Sequence, residues 1–110
     1  MVYKDYEAFK SAIEACGIPS AEAEFKKSVH VPYLCYFRSA EKPITADGKV
    51  IFARTEMAVE VYTAKNDTKT EWLFEQWLAD QRINAVKTER VFVQSESYYE
   101  TVYEFEVVFK

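Results

Sequence analysis

The stretch MAVEVYTAKNDTKTEWLFEQWL (residues 57–78) changes its period midway, and that change decides how the chain is read. In the first half Met57, Val59, Val61 and Thr63 alternate with Ala58, Glu60 and Tyr62, the period of two expected of a strand with one buried face. In the second half Trp72, Leu73, Phe74, Trp77 and Leu78 give a helix a broad apolar side. Between them, Asn66, Asp67 and Thr68 are candidates to cap the helix, and Thr68 precedes Glu71 by the three residues of a capping box.

Upstream, VPYLCYFR (31–38) is rich in β-branched and aromatic residues and predicts a strand antiparallel to the first. Tyr33, Cys35 and Phe37 share one face, Leu34 and Tyr36 the other. Both faces are apolar, so the strand is covered on two sides within the monomer or on its second side by a partner. Ser39 to Lys49 reads as a long loop containing Pro43 and closed by an Asp47-Gly48 turn, with a return strand starting at Val50. Further back, Tyr6, Phe9, Ile13 and Cys16 fall at helical spacing until Gly17 and Pro19 end the helix. The polar segment 20–28 reads as a connection.

Downstream, Val86 to Val93 and Tyr98 to Phe109 predict a hairpin through Gln94 to Ser97. In its second strand Tyr99, Thr101, Tyr103, Phe105, Val107 and Phe109 share one face, and Glu100, Val102, Glu104, Glu106 and Val108 the other. The expected fold is α+β: one domain over residues 1–110, in the order α-β-β-α-β-β, with an antiparallel-rich sheet and helices packed against it.

With 110 residues, nearly half hydrophobic and only two Gly, the chain is long enough for one ordered core. Its 18 acidic and 14 basic residues leave a charge of −4, mixed along the sequence; phosphate binding needs a positive surface, which argues against a nucleic-acid-binding role. Cys16 and Cys35 form no CxxC motif, and the start MVYKDYEAF lacks an apolar signal region, so two free thiols in a reducing compartment are expected. No apolar run approaches the roughly 20 residues of a membrane span.

Candidate chemistry is sparse. Glu104 and Glu106 project from one strand face about 7 Å apart, but acidic residues alternating with aromatics are what a half-wet strand contains. His30 is the only histidine, and Cys16 and Cys35 stand at no recognisable zinc spacing from it. No nucleophile elbow or phosphate-cradling glycine loop is present. The residues predict no enzyme, no metal site and no cofactor. Trp72, Phe74 and Trp77 read mainly as core; surplus aromatic surface on that helix would suit a small cytosolic protein-binding module, which is the alternative reading.

One combination is more specific. Pro32-Tyr33, Ala46-Asp47-Gly48-Lys49-Val50, Tyr62-Thr63, Lys65-Asn66-Asp67 and Tyr103-Glu104 follow one another in an order that resembles the tail-terminator, or tail-completion, proteins of long-tailed bacteriophages and their prophages. The resemblance spans most of the chain and is weakest over residues 86–97. It implies a non-enzymatic structural protein that forms a ring, expected to be hexameric, on the head-proximal end of the tail tube. There it would stop tube polymerisation and join the tail to the head-completion complex. The implied partners are further copies of the chain, the tail-tube protein and a head-completion protein; no membrane is involved, and DNA would pass through the ring without specific binding. The implied location is the virion tail, assembled in the bacterial cytoplasm. The loop bearing Pro43, Ile44, Asp47, Gly48 and Lys49 is the expected contact with a ring neighbour or the tube, because loops on rigid scaffolds carry binding residues.

Overall fold

The computed structural model describes residues 2–46 and 49–109, and for residues 40–46 and 49–53 the backbone alone. Along the chain come β1 (Val2–Tyr3), α1 (Tyr6–Glu14), β2 (Ser20–Glu22), β3 (Tyr33–Ala46), β4 (Lys49–Ala64), α2 (Thr70–Asp80), β5 (Val86–Val93) and β6 (Tyr98–Phe109). The strands form one sheet in the order β1-β6-β4-β3-β2, with β5 also paired to β6. Strands β3 and β4 are antiparallel, with Tyr33 opposite Tyr62 and Tyr36 opposite Val59. Strand β6 lies antiparallel to both β4 and β5.

The α+β class and the α-β-β-α-β-β order expected from the sequence are incorrect. Among the described residues six strands and two helices make a sheet-dominated molecule, and its sheet is mixed because β1 runs parallel to β6 and β2 parallel to β3. Elements of two and three residues have no readable period; their extended conformation is imposed by the longer strands they pair with. Part of the segment read as a polar connection is thus β2. The long loop expected over Ser39 to Lys49 is also largely strand, since β3 continues to Ala46 and β4 begins at Lys49. Strand β3 is an edge beyond its pairing with β2 at Tyr36, and an edge is where a sheet tolerates a proline such as Pro43.

Both helices pack on one face of the sheet, called here the inner face. Phe9 of α1, fully buried, is the hub: the rings of Tyr3, Tyr6, Tyr36, Phe105 and Trp77 have centroids 5.3, 6.1, 6.5, 6.2 and 6.4 Å from its own. Beneath the helices lie Leu34, Met57, Val59, Val61, Tyr103 and Val107. Trp77 Nε1 donates to the Ala12 carbonyl at 3.1 Å, tying α2 to α1 while satisfying the indole.

The helix ends follow local chemistry. Asp5 caps α1 by accepting from Ala8 N at 2.8 Å, and Gly17 takes the left-handed conformation (φ +94) as the chain leaves that helix. At α2, of the three candidates Asn66, Asp67 and Thr68, it is Asp67 whose carboxylate accepts from Lys69 N, Thr70 N and Thr70 Oγ1, at 2.9, 3.0 and 2.6 Å, and the Thr68–Glu71 capping box is not formed. Burial works to raise the Asp67 pKa, but the bonds from Thr70 and Lys69 outweigh it and hold the carboxyl below its ordinary value.

The two-sided apolar character of residues 33–37 is partly resolved within the monomer. Leu34 and Tyr36 lie under the helices, while Cys35 is buried on the other side and Tyr33 meets Phe25 edge-on at 5.5 Å.

Candidate interaction surfaces

Three surfaces stand out, and the first is the far end of the β3–β4 hairpin. Strand β6 meets β4 only from Ala53 onward, and β2 meets β3 only through Tyr36. Among the described residues, 40–46 and 49–52 therefore pair with nothing but each other, as a two-stranded ribbon on a molecule measuring 52 × 25 × 23 Å. Of the residues expected to make the assembly contact, Pro43, Ile44 and Lys49 lie on this ribbon, and Asp47 and Gly48 lie outside the described residues. A two-stranded hairpin is only marginally stable alone in water, and this one includes Ile44, Val50, Ile51 and Phe52 in its sequence.

The second surface is a groove of about 700 Å³ at the other end of the same hairpin, on the outer face of the sheet. Tyr33, Tyr62 and Tyr98 form its floor: the first two rings stack at 4.7 Å, and Tyr98 meets Tyr62 edge-on at 5.3 Å. Lys26, Lys27 and His30 come from the preceding segment, and Glu96 from the β5–β6 turn. Tyr62 donates to Glu60 Oε1 at 2.8 Å. Burial pushes the Tyr33 hydroxyl up to about 12 and the Cys35 thiol up to about 11, so both stay neutral near pH 7. The groove offers rings, hydroxyls and charges of both signs. The sequence carried these tyrosines in plain view, but their convergence needs the strand register.

The third is α2. Phe74, Trp77 and Leu78 are buried, as their spacing suggested, whereas Trp72 and Leu73 remain exposed at 59% and 45%. The same helix carries a charge clamp that the sequence did not suggest. Lys87 of β5 reaches Glu71 and Glu75 at 3.1 Å each, and Arg90 Nε donates to Glu71 Oε2 at 3.0 Å. Tyr103 donates to Glu75 Oε2 at 2.6 Å. That bond, together with Lys87, holds the Glu75 carboxyl below its ordinary value.

The residues weighed for chemistry are not assembled into one site. Glu104 and Glu106 are exposed on the outer face, with Arg54 Nη1 3.4 Å from Glu106 Oε1. His30 and Cys35 both line the tyrosine groove, but Cys16 is elsewhere, with its Sγ 3.8 Å from the Ile18 carbonyl. Among the described residues no group of three His, Cys, Asp or Glu side chains is placed to hold a metal ion. No helix is long and apolar enough to cross a membrane. No protein-family model matches the chain, and no curated protein matches it either.

Proposed function

We propose that the protein is a non-enzymatic phage structural component that caps the head-proximal end of the tail tube, stops its polymerisation and joins it to the head-completion complex. The observation that carries this reading is the two-stranded ribbon. Its residues gain no third strand among the described residues, and they belong to the segment that includes the Ala46-to-Val50 motif of the resemblance. A ribbon of this kind gains stability by lying against a neighbour, and a head-to-tail contact repeated around an axis closes a ring, with six copies expected. The negative net charge fits a ring through which DNA passes, since a basic lumen would hold the genome by counterion release. Partners in this reading are other copies, the tail-tube protein and a head-completion protein; the place is the virion tail, after assembly in the bacterial cytoplasm.

The test is mass by light scattering over a range of concentrations, with and without purified tail tubes, alongside image reconstruction of tube ends. Rings are expected, and replacing Ile44 by Asp together with Lys49 by Glu should abolish them while the monomer stays folded. A strictly monomeric protein in both settings, or infectious tails assembled normally with that double variant, overturns the reading.

A second reading is favoured by one observation, the exposure of Trp72 and Leu73 side by side on α2: a protein-binding module using that helix surface. It requires a monomer or dimer, not a ring, whose partner binding is lost on Trp72→Ala.

A further inference from the structure

Strand β5 is turned inside out. Its register with β6 sends Lys87 and Arg90 to the inner face, where they meet the carboxylates of α2, and sends Val86, Glu89, Val91 and Val93 to the outer face. A surface strand with one wet face normally shows the opposite pattern, charges outward and aliphatics inward. Here the aliphatics point away from the core: Val86 is 64% and Val91 48% exposed, and half-buried Val102 lies beside them on β6. Both helices are on the inner side.

The charge on this outer face has one sign. Glu60, Glu89 and Glu100 surround Val102: Glu60 and Glu89 sit directly opposite it on the two flanking strands, and Glu100 is two residues earlier on its own. None of the three forms an ion pair among the described residues. Arg54 is the one described cation facing outward on β4, β5 and β6, and it lies at the far end, beside Glu106. Burial, then repulsion from Glu60 and Glu89, raises the Glu100 pKa despite the opposing influence of the nearby Tyr62 hydroxyl. On the same outer side, Lys26 and Lys27 line the tyrosine groove.

We infer that the outer face of β4, β6 and β5 is a docking surface for a protein segment carrying aliphatic and basic side chains. The valines supply apolar area to cover, and the unpaired carboxylates select the sign of the partner's charge, since like charges brought against them are repelled. The same carboxylates reject nucleic acid and anionic lipid. The inference does not depend on ring formation, because it concerns a different surface from the ribbon.

The experiment uses the full chain and a fluorescent synthetic peptide of alternating valine and arginine, with a peptide of alternating valine and glutamate as its counterpart. Anisotropy should report binding of the first and none of the second. Glu89→Gln with Glu100→Gln should weaken binding roughly tenfold or more, and Val91→Thr should weaken it further, while Glu7→Gln with Asp80→Asn, which removes the same charge from the helices, should change it less than about twofold. Thermal unfolding of each variant confirms that it is folded. Equal weakening by the two double variants would mean attraction to net charge alone and overturn the inference, as would no binding by the parent. It also fails if the Glu89/Glu100 variant alters the protein's own oligomeric mass and leaves peptide binding unchanged, for then the face is covered by a second copy. Absence of rings in the parent protein, with peptide binding as expected, would count against the ribbon and leave this inference standing.

Discussion

On the inner face of β4 and β6, Met57, Val59, Val61, Phe105 and Val107 are at most 7% exposed, whereas Ala58, Glu60, Tyr62, Val102 and Glu104, their neighbours on the same strands, keep contact with solvent. Both sets occupy the same two strands, with the same pairing and register. The difference comes from the two helices, which cover one side and not the other. On β5 the basic residues Lys87 and Arg90 turn toward α2 and the valines turn away from it. Burial in this molecule is decided by the layer above a strand, and strand character by itself does not reveal which face receives that layer.

If the helix layer creates the distinction, its hub should have the largest effect. Phe9→Ala removes the ring against which two helices and three strands pack, and is expected to destabilise the protein by about 3–5 kcal/mol in urea unfolding. A loss under about 1 kcal/mol would mean that the inner face is not the molecule's main core. In contrast, truncating Tyr62 on the outer face should have a smaller effect on stability.

A second change sharpens the comparison from inside. Thr101 is fully buried on the inner face, and its hydroxyl has no hydrogen-bond partner among the described residues. Thr101→Val replaces that hydroxyl with a methyl of similar size, and stability should rise by about 1 kcal/mol. Destabilisation would show that the hydroxyl is satisfied, by a bound water for instance.

The smallest effects concern pH, and the two faces should respond with opposite sign. Glu75, beside the inner face, has a folded pKa lowered from 4.5 by the Tyr103 hydroxyl and Lys87, so its contribution is present above the unfolded value and is lost as pH falls through the folded one. Glu100, on the outer face, has a folded pKa raised from 4.5, so its ionisation lowers stability as pH rises through that value. Accordingly, Glu75→Gln should be less stable than the parent at pH 7, and Glu100→Gln more stable, by about 0.5 kcal/mol or less for such solvent-accessible groups. Both differences should shrink under acid conditions: below the lowered folded value for Glu75, and below 4.5 for Glu100. Unfolding curves at pH 7 and pH 3 that show the same sign for both variants would break the contrast.

Periodicity over long segments was legible without coordinates. The alternation of Met57 to Thr63, the helical stripe ending at Trp77 and Leu78, and the bounds of the last hairpin all correspond to observed elements. Two kinds of feature were not legible. Strands β1 and β2 are too short to show a period, and the stretch from Ser39 to Ala46 contains a proline and polar residues that suggested a loop, although an edge strand accommodates them. The tyrosine groove and the clamp on Glu71 and Glu75 join residues distant along the chain, and no spacing rule links them.

The amino-acid sequence by itself determined where the chain alternates, where it coils and where it turns, because those follow from side-chain period and from local caps within a few residues. It also determined the net charge and the order of short motifs from which a role in phage tails is proposed. Only the tertiary structure decided that β5 points Lys87 and Arg90 toward α2 and its valines away from it, that the β3–β4 ribbon runs past the rest of the sheet, and that neither helix covers the outer face. Each of these depends on the register between strands and on where two helices settle, and both are set by packing between residues far apart in the chain, where local pattern has no hold.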